Sequence, residues 1–315
     1  MRISTLLNSG AKRSVALATV LSLCFAASAQ TFLDNGIIYK VNKGKVEVQP
    51  TKYTSGKNKG KPTECENGTA PDDYTGDIVV PAQVTYNGNT YPVSDIKSGF
   101  KASLITSIVI PDGVKVGRGA LQDCANLTSA TLPSDLALID GNTFQNCTAL
   151  TSITIPGSAK SVGGAAFQGC TALETIIVED GAEPISFARD AFNAAPVVKT
   201  VKLNRQFDNT TKNTQDDRVF RGCKELVSVE IGGSFLDIPA NFFENTTALK
   251  SVVFNSQVAS IDYRAFANSG LEEITLPESL TSVSSSLFEN CKSLRKVTLG
   301  AATKTISDMA FYNST

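Results

Sequence analysis

The sequence predicts an α/β-type solenoid, a stack of coils of about 23 residues with a parallel β-sheet along one side. One observation is a phrase that begins with phenylalanine and recurs, as in residues 144–150 (FQNCTAL), 167–173 (FQGCTAL) and 288–294 (FENCKSL). Another is the spacing of 23 residues between Phe144 and Phe167. A third is a short alternating apolar pattern that follows each phrase. Self-similarity at a fixed period is typical of repeat architectures.

The anchor of each coil is an apolar residue, in most coils a phenylalanine. The anchors are Phe100, Leu121, Phe144, Phe167, Phe192, Phe220, Phe243, Phe266, Phe288 and Phe311. One coil cannot bury its own anchor and strand, so we expect equivalent strands to stack about 4.8 Å apart with the anchors behind them as core. The pattern predicts about nine full coils and a partial one over residues 96–315.

Each anchor is followed by an L-x-x-I-x-I pattern, for example Leu150, Ile153 and Ile155. Alternation of apolar and polar residues indicates a half-buried strand. Proline follows several of these patterns, as at Pro156 and Pro277, where the missing N–H does no harm because the strand ends there. Each coil is therefore expected to contribute one short strand to the sheet.

Residues 30–95 lack the repeat and predict a β-rich N-terminal cap. Asn87-Gly88 lies between Thr85-Tyr86 and Thr90-Tyr91, and Asn-Gly between strand-forming residues favours a tight hairpin. A stack of repeats needs a terminal unit with a polar outer face, and this segment suits that role.

The L-x-x-I-x-I strand, the F-x-x-C-x-x-L phrase and the 23-residue period resemble the BspA-like leucine-rich repeats of bacterial surface proteins, over Ile96 to Thr315. Residues 34–39, 76–81 and 84–93 are also similar to the lead-in of such proteins from Bacteroides-type bacteria. The resemblance implies an exported repeat protein that binds a protein or glycan ligand on host or neighbouring cells, with host extracellular matrix as one candidate partner.

The N-terminus has the features of an export signal. Arg2, Lys12 and Arg13 are basic, residues 15–27 form an apolar run too short to span a bilayer, and residues 27–29 (ASA) form a small-residue cleavage site. We therefore expect residues 1–29 to be a signal peptide and the mature chain to begin at Gln30, outside the cell or at its surface. A lipoprotein signal that ends at Cys24 is the alternative.

The six cysteines after the signal are an even number, which in an exported protein suggests disulfides. However, Cys124, Cys147 and Cys170 lie 23 residues apart at one place in the repeat, where other coils have Thr246 or Ser269. This exchange favours a small buried slot over a bridge. A metal site built from these thiols is less favoured, because there is no histidine and no C-x-x-C pair.

The amino-acid composition argues against several classes of function. The chain has no histidine, which removes Ser-His-Asp and Cys-His catalysis, and no phosphate-binding glycine loop is present. The formal net charge of −1 gives no support for nucleic acid or an anionic membrane as partner. After the signal, no segment is apolar enough to be a transmembrane helix. We expect no cofactor and no catalytic activity.

Two regions are candidates for ligand contact. The first is the column of residues between the two buried positions of each strand, on the concave face of the sheet. Its candidate binding residues are Thr131, Thr154, Ile177, Lys202, Glu230, Val253 and Thr275. The second is a polar insertion, Asn204 to Asp217, in which Phe207 is apolar. A tolerated surface loop is the alternative interpretation of this insertion.

These observations predict a non-catalytic protein that mediates protein or glycan binding, or adhesion, at the bacterial surface. A structural protein of the envelope or matrix without a specific host ligand is the first alternative. A carbohydrate-active enzyme that uses paired carboxylates is the second, since such pairs are rarely adjacent in sequence.

Overall fold

The computed structural model describes residues 30–52, 63–66, 68–69, 73–188, 191–192, 197–208 and 219–314. The proposed signal peptide, residues 1–29, lies outside these ranges. The described chain forms a β-rich N-terminal segment followed by a β-solenoid of about eight turns with parallel sheets. Turns close the coils, and none of the described residues is helical. The predicted leucine-rich-repeat-like solenoid is confirmed.

The N-terminal segment is built around one five-stranded sheet. Its strands are β1 (Thr31–Asp34), β2 (Ile37–Asn42), β3 (Lys45–Val48), β7 (Gln83–Tyr86) and β8 (Asn89–Asp95), in the order β1-β2-β3-β8-β7. A short hairpin, β4 (Glu64–Cys65) with β5 (Gly68–Thr69), accompanies it. Phe32 stacks on Tyr86 with ring centroids 4.2 Å apart and is buried, and both residues belong to the one hydrophobic core that continues into the solenoid.

The predicted hairpin at Asn87-Gly88 is confirmed. Tyr86 pairs with Asn89 across the turn, and Asn87 and Gly88 have φ angles of 50° and 76°. Two consecutive residues with positive φ are what a type I′ turn requires, and Asn-Gly adopts them at least cost.

One strand of the N-terminal segment belongs to the solenoid. β6 (Thr75–Val79) pairs in parallel with β9 (Leu104–Val109), the first strand of the repeats. The sheet of the solenoid therefore starts before the first repeat, and the segment is joined to the stack by backbone hydrogen bonds. The domain boundary at residue 95 remains a prediction.

The concave side of the solenoid is a column of parallel strands, one in each coil. After β9 they are β10 (Ser129–Thr131), β12 (Ser152–Ile155), β14 (Thr175–Val178), β16 (Thr200–Leu203), β17 (Ser228–Ile231), β19 (Ser251–Phe254), β21 (Glu273–Thr275) and β23 (Lys296–Thr298). Strands β12-β14-β16-β17-β19 form one continuous sheet in strict register. Most of these strands bury the alternate residues that the sequence pattern marks as apolar, such as Ile153 and Ile155, whereas Val252 and Phe254 of β19 are half-buried.

A second column of two-residue strands precedes the anchors. Its members are β11 (Leu138–Ile139), β13 (Ser161–Val162), β15 (Ser186–Phe187), β18 (Asp237–Ile238), β20 (Ser260–Ile261), β22 (Ser282–Val283) and β24 (Thr305–Ile306). They pair in parallel as β11-β13-β15, β18-β20 and β22-β24. Each coil thus passes from a concave strand through a second strand to its anchor.

The phenylalanine anchors form a continuous stack inside the solenoid, as the sequence predicts. From Phe144 to Phe311, successive ring centroids lie between 5.1 and 6.1 Å apart. Phe144 and Phe167 are almost parallel, with an angle of 6° between their rings, and both are fully buried. Each ring therefore packs on the coils before and after its own, so that neighbouring coils stabilise each other.

The other residues of the recurring phrase have local reasons as well. Two positions after the anchor, Asn146, Asn245 and Asn290 have φ near +60°, a conformation that asparagine tolerates and most residues avoid. One position further, Cys147 and Cys170 are buried, and Cys147 Sγ donates to the Leu121 carbonyl of the preceding coil at 3.1 Å. The slot thus needs a small side chain with a donor.

Candidate functional site

The concave column predicted from sequence is a single ladder on the exposed side of the sheet. Thr154, Ile177, Lys202, Glu230 and Val253 are in register on adjacent strands. Thr131 continues the column towards the N-terminus, and Thr275 towards the C-terminus, where it pairs with Thr298. Ile177 and Lys202 are half-buried and the other five are exposed. The structure therefore brings these seven predicted residues together on one surface; whether they bind a ligand remains a prediction.

Charged residues of the ladder are paired across coils. Lys202 Nζ lies 2.8 Å from Glu230 Oε2, and both side chains are about half exposed, at 44% and 50%. At the start of the strands, Lys199 pairs with Glu174 at 2.6 Å. Exposed pairs of this kind contribute little to stability, on the order of 0–1 kcal/mol. Their charges remain accessible to a ligand.

A third charge group lies near the C-terminal end of the same surface. Glu272 accepts from both Lys250 Nζ, at 3.0 Å, and the Arg295 guanidinium. The hydrogen bond from Lys250, with the positive charges of Lys250 and Arg295, lowers the pKa of Glu272 below its usual value. Glu272 therefore remains ionised in mildly acidic solution.

The sequence analysis did not assign β6, at the N-terminal end, to this surface. Val79 of β6 pairs with Val109 and is 69% exposed, so two valines extend the ladder. Next to them, Asp77 accepts hydrogen bonds of 2.7 Å from Ser107 and Thr106, which lower the pKa of its carboxyl group. The period did not show this strand because β6 precedes the first repeat.

The interpretation of Phe207 as an exposed contact is wrong. Its side chain is only 6% exposed and packs against Phe187, Phe235 and Phe242, with ring centroids 4.8, 5.4 and 5.0 Å away. The backbone of Phe207 pairs with Ile185 of the previous coil. Phe207 therefore fills a core position, and the polarity of its sequence neighbours concealed this.

The start of the insertion is also structural. The side chain of Gln206 hydrogen-bonds to the backbone of the next coil, as a neighbouring strand would. Its Oε1 accepts from the Leu236 and Asp237 N–H groups at 2.9 and 3.0 Å, and its Nε2 donates to the Asp237 carbonyl at 2.9 Å. Arg205 is buried and donates to the Gly157 and Pro156 carbonyls two coils back. Gln206 and Phe207 are therefore parts of the fold, although the sequence places them in the polar insertion. Residues 209–217 of the insertion lie outside the described ranges.

The cysteines occupy the buried slot that the repeat predicts. All six that follow the predicted signal are free in the structure, and Cys124, Cys147, Cys170 and Cys291 are fully buried. Burial raises the pKa of each of these thiols, that of Cys170 to about 12. Within the described part of the chain, no group of three or more His, Cys, Asp or Glu side chains is arranged to hold a metal ion.

These features define a leucine-rich repeat protein, in which stacked coils present a ladder of exposed residues. The family model described as BspA type leucine rich repeat region, in six copies, matches residues 96–214 and 209–315. The chain therefore belongs to the BspA-type leucine-rich repeat family. Proteins of this family and fold are generally non-catalytic repeat proteins. A comparison with curated proteins gives no match.

Several solved structures are similar to the chain. A leucine-rich repeat protein from Bacteroides ovatus is 20% identical, with 90% of this chain and 92% of that one covered and a TM-score of 0.35. A leucine-rich cell surface protein from Faecalibacterium prausnitzii is 21% identical, with coverage of 89% and 56% and a TM-score of 0.35. A leucine-rich repeat protein from Bacteroides capillosus is 28% identical, with coverage of 48% and 99% and a TM-score of 0.37.

Across the described ranges, no helix has both the length and the apolar character needed to cross a bilayer.

Proposed function

We propose that this chain is an exported, non-catalytic binding protein at the bacterial surface, and that its concave ladder contacts a protein ligand. The observation that carries the proposal is the ladder itself, a column of exposed residues held in register by consecutive strands. Rigid strands hold such contacts more accurately than loops do, and this favours binding.

The chemistry of the ladder favours a protein over a glycan. Exposed apolar residues, Val79, Val109 and Val253, alternate along the surface with hydroxyl groups and with the Lys202–Glu230 pair. A surface that combines apolar, hydroxyl and charged groups in this way is typical of non-obligate protein interfaces. Host extracellular matrix proteins are the partner class that we test first.

The test is binding to a panel of extracellular matrix proteins and to a glycan array, with the mature chain immobilised. The decisive variant is the double substitution Lys202→Glu with Glu230→Lys, which keeps the ion pair but reverses its direction. We expect ligand binding to weaken about tenfold or more, because charge complementarity is lost while the fold is unchanged. The same exchange at Lys97 and Glu47, an ion pair of 2.8 Å in the N-terminal segment, is the control.

Three outcomes would contradict the proposal. Binding that survives the exchange at Lys202 and Glu230 would remove the ladder as the contact surface. Absence of any ligand in both panels would favour the structural alternative, an envelope or matrix protein. Turnover of a polysaccharide by the purified chain would establish the enzymatic alternative.

A further inference from the structure

One boundary between coils differs from all others in the described part of the solenoid. We call it the open joint: the boundary between the coil of β19 and β20 and the coil of β21 and β22. β19 pairs only with β17, and β21 only with β23, while β20 and β22 likewise pair away from the joint. At every other boundary between described repeats, at least one of the two strand columns is paired.

The turn before β21 is short. From Phe266 to Leu271 the chain advances five residues, whereas it advances six from Phe243 to Leu249. The shortened turn contains Gly270, where an added Cβ atom would lie 2.1 Å from the Thr247 carbonyl oxygen. Only glycine fits at this distance, so Gly270 is required for the close turn that leads into β21.

The convex side of the joint remains closed. The Phe266 and Asn268 N–H groups donate to the Leu287 and Glu289 carbonyls at 3.2 and 2.8 Å, and the rings of Phe266 and Phe288 stack. The two coils therefore lack strand pairing on the concave side and in the second column, where Ser284 Oγ still donates to the Ile261 carbonyl across the joint.

A groove of about 660 Å³ occupies the opening. Val252 and Phe254 line it and are half-buried, whereas the equivalent Val229 and Ile231 of the preceding coil are fully buried. Val253, which is 57% exposed, and Thr275 stand on either side of the groove. The groove thus gives access to apolar core side chains from the proposed binding face.

The two walls of the groove are strand edges that lack a described partner strand. Backbone N–H and C=O groups along such an edge are strong hydrogen-bonding groups, and extended peptides satisfy them by main-chain pairing. An occupant that combines main-chain hydrogen bonds with an apolar side chain is a peptide segment in extended conformation.

Charged side chains line one end of the groove. Lys250, Glu273 and Lys296 line it, and a neighbouring cavity of about 420 Å³ adds Glu272 and Arg295. Three cations thus face two carboxylates. Since Glu272 is already shared by Lys250 and Arg295, the exposed Lys296 is available to an acidic group.

We propose that the groove of the open joint binds an extended segment of a partner protein, with an apolar side chain on Phe254 and an acidic side chain beside Lys296. The inference rests on the proposed function and names its anchor site. The segment lies along the strands and hydrogen-bonds to one of the two free edges, because Cα atoms of β19 and β21 approach within 8 Å and a complete strand does not fit between them.

The experiment selects random dodecapeptides, displayed on phage, against the mature chain. Thr275→Trp places a bulky ring beside the groove. Thr85→Trp is the matched control, because Thr85 is an exposed threonine on β7 of the N-terminal sheet, outside the ladder and the groove. We expect the selected peptides to share an apolar and an acidic residue and to bind the Thr275→Trp variant at least about tenfold more weakly. Binding to the Thr85→Trp variant stays as in the original chain.

A charge exchange tests the same site without a change of size. Lys296→Glu should weaken the selected peptides, and replacement of their acidic residue by lysine should restore binding to that variant. No enrichment of peptides, or equal binding to the original chain and to the Thr275→Trp variant, overturns the inference. If protein ligands depend on Lys202 and Glu230 but bind both groove variants unchanged, the groove is excluded while the proposed function stands.

Discussion

At the residue scale, the recurring cysteine is a packing and hydrogen-bonding element. In the coils before Cys124 and Cys291 the same slot holds Ser103 and Ser269, whose hydroxyl groups contact the cysteine sulfurs at 3.5 and 3.3 Å. Serine therefore meets the requirements of the slot as well as cysteine does. This column of small side chains explains why the residue varies among Cys, Ser and Thr; it is buried in most described coils, and Cys223 is half-buried.

The slot leads to a stability prediction for Cys147. Cys147→Ala should cost about 1 kcal/mol in the free energy of unfolding, because it removes the sulfur and its hydrogen bond to Leu121. Cys147→Ser restores the donor and should remain closer to the original stability. Chemical denaturation of the three proteins measures this; equal stability of the alanine variant would contradict the assignment.

The buried thiols should also resist modification. Because burial raises their pKa values, Cys124, Cys147, Cys170 and Cys291 are neutral at neutral pH, and the neutral thiol is a poor nucleophile. We expect iodoacetamide to label the four only after denaturation. Intact-mass analysis before and after denaturation tests this. Blocked thiols in the denatured, unreduced protein would indicate disulfides instead.

The anchor phenylalanines are predicted to carry more of the stability. Phe167→Ala should cost about 3–5 kcal/mol, because Phe167 is fully buried and stacks on both Phe144 and Phe192. Thermal or urea unfolding measures the loss. Leu104→Ala, at a half-exposed position on the first repeat strand, is a control that should change stability little.

At the element scale, the irregular coil shows how a repeat absorbs an insertion. Phe187 pairs with Val162 in the second column of strands. In the next coil Phe207 occupies the equivalent core position, and the side chain of Gln206 makes the hydrogen bonds to the following coil that a strand would make with its backbone. The inserted residues therefore follow directly after a residue, Phe207, that keeps its place in the core. The coil keeps its packing although its spacing of 28 residues, from Phe192 to Phe220, departs from the period.

This arrangement predicts that the first residues of the insertion are indispensable. Phe207→Ala should cost about 3 kcal/mol or more, since it removes a buried ring between three other aromatic side chains of two coils. Unfolding by urea is the measurement. Retention of full stability would restore Phe207 as a surface residue.

The sequence predicted the regular elements and missed the irregular ones for a physical reason. Coils that keep the period, such as Phe144 to Val162, show their strand, anchor and slot directly in the pattern of apolar residues. Phe207 is a core residue between polar neighbours, β6 lies outside the repeat, and the open joint is a loss of pairing between two coils that both keep the apolar pattern. Packing between coils decides these three, and a local pattern does not contain that information.

At the scale of the whole molecule, the proposed surface role requires export. The structure does not describe residues 1–29, so the signal peptide stays a prediction. We expect the exported protein to begin at Gln30, because the small residues before it suit signal peptidase. N-terminal sequencing of the exported protein tests this, and a lipid attached to Cys24 would support the lipoprotein alternative.

The open joint also has a mechanical consequence. When a parallel stack is stretched along its axis, tension passes through the hydrogen bonds between coils, and the boundary with the fewest bonds yields first. Between β19 and β21 only the convex contacts of residues 266–270, with side-chain bonds such as Lys250 to Glu272, resist separation. If the solenoid is held at both ends and stretched, its coils would therefore separate at the open joint before they separate at the more regular boundaries. The groove would widen under this load.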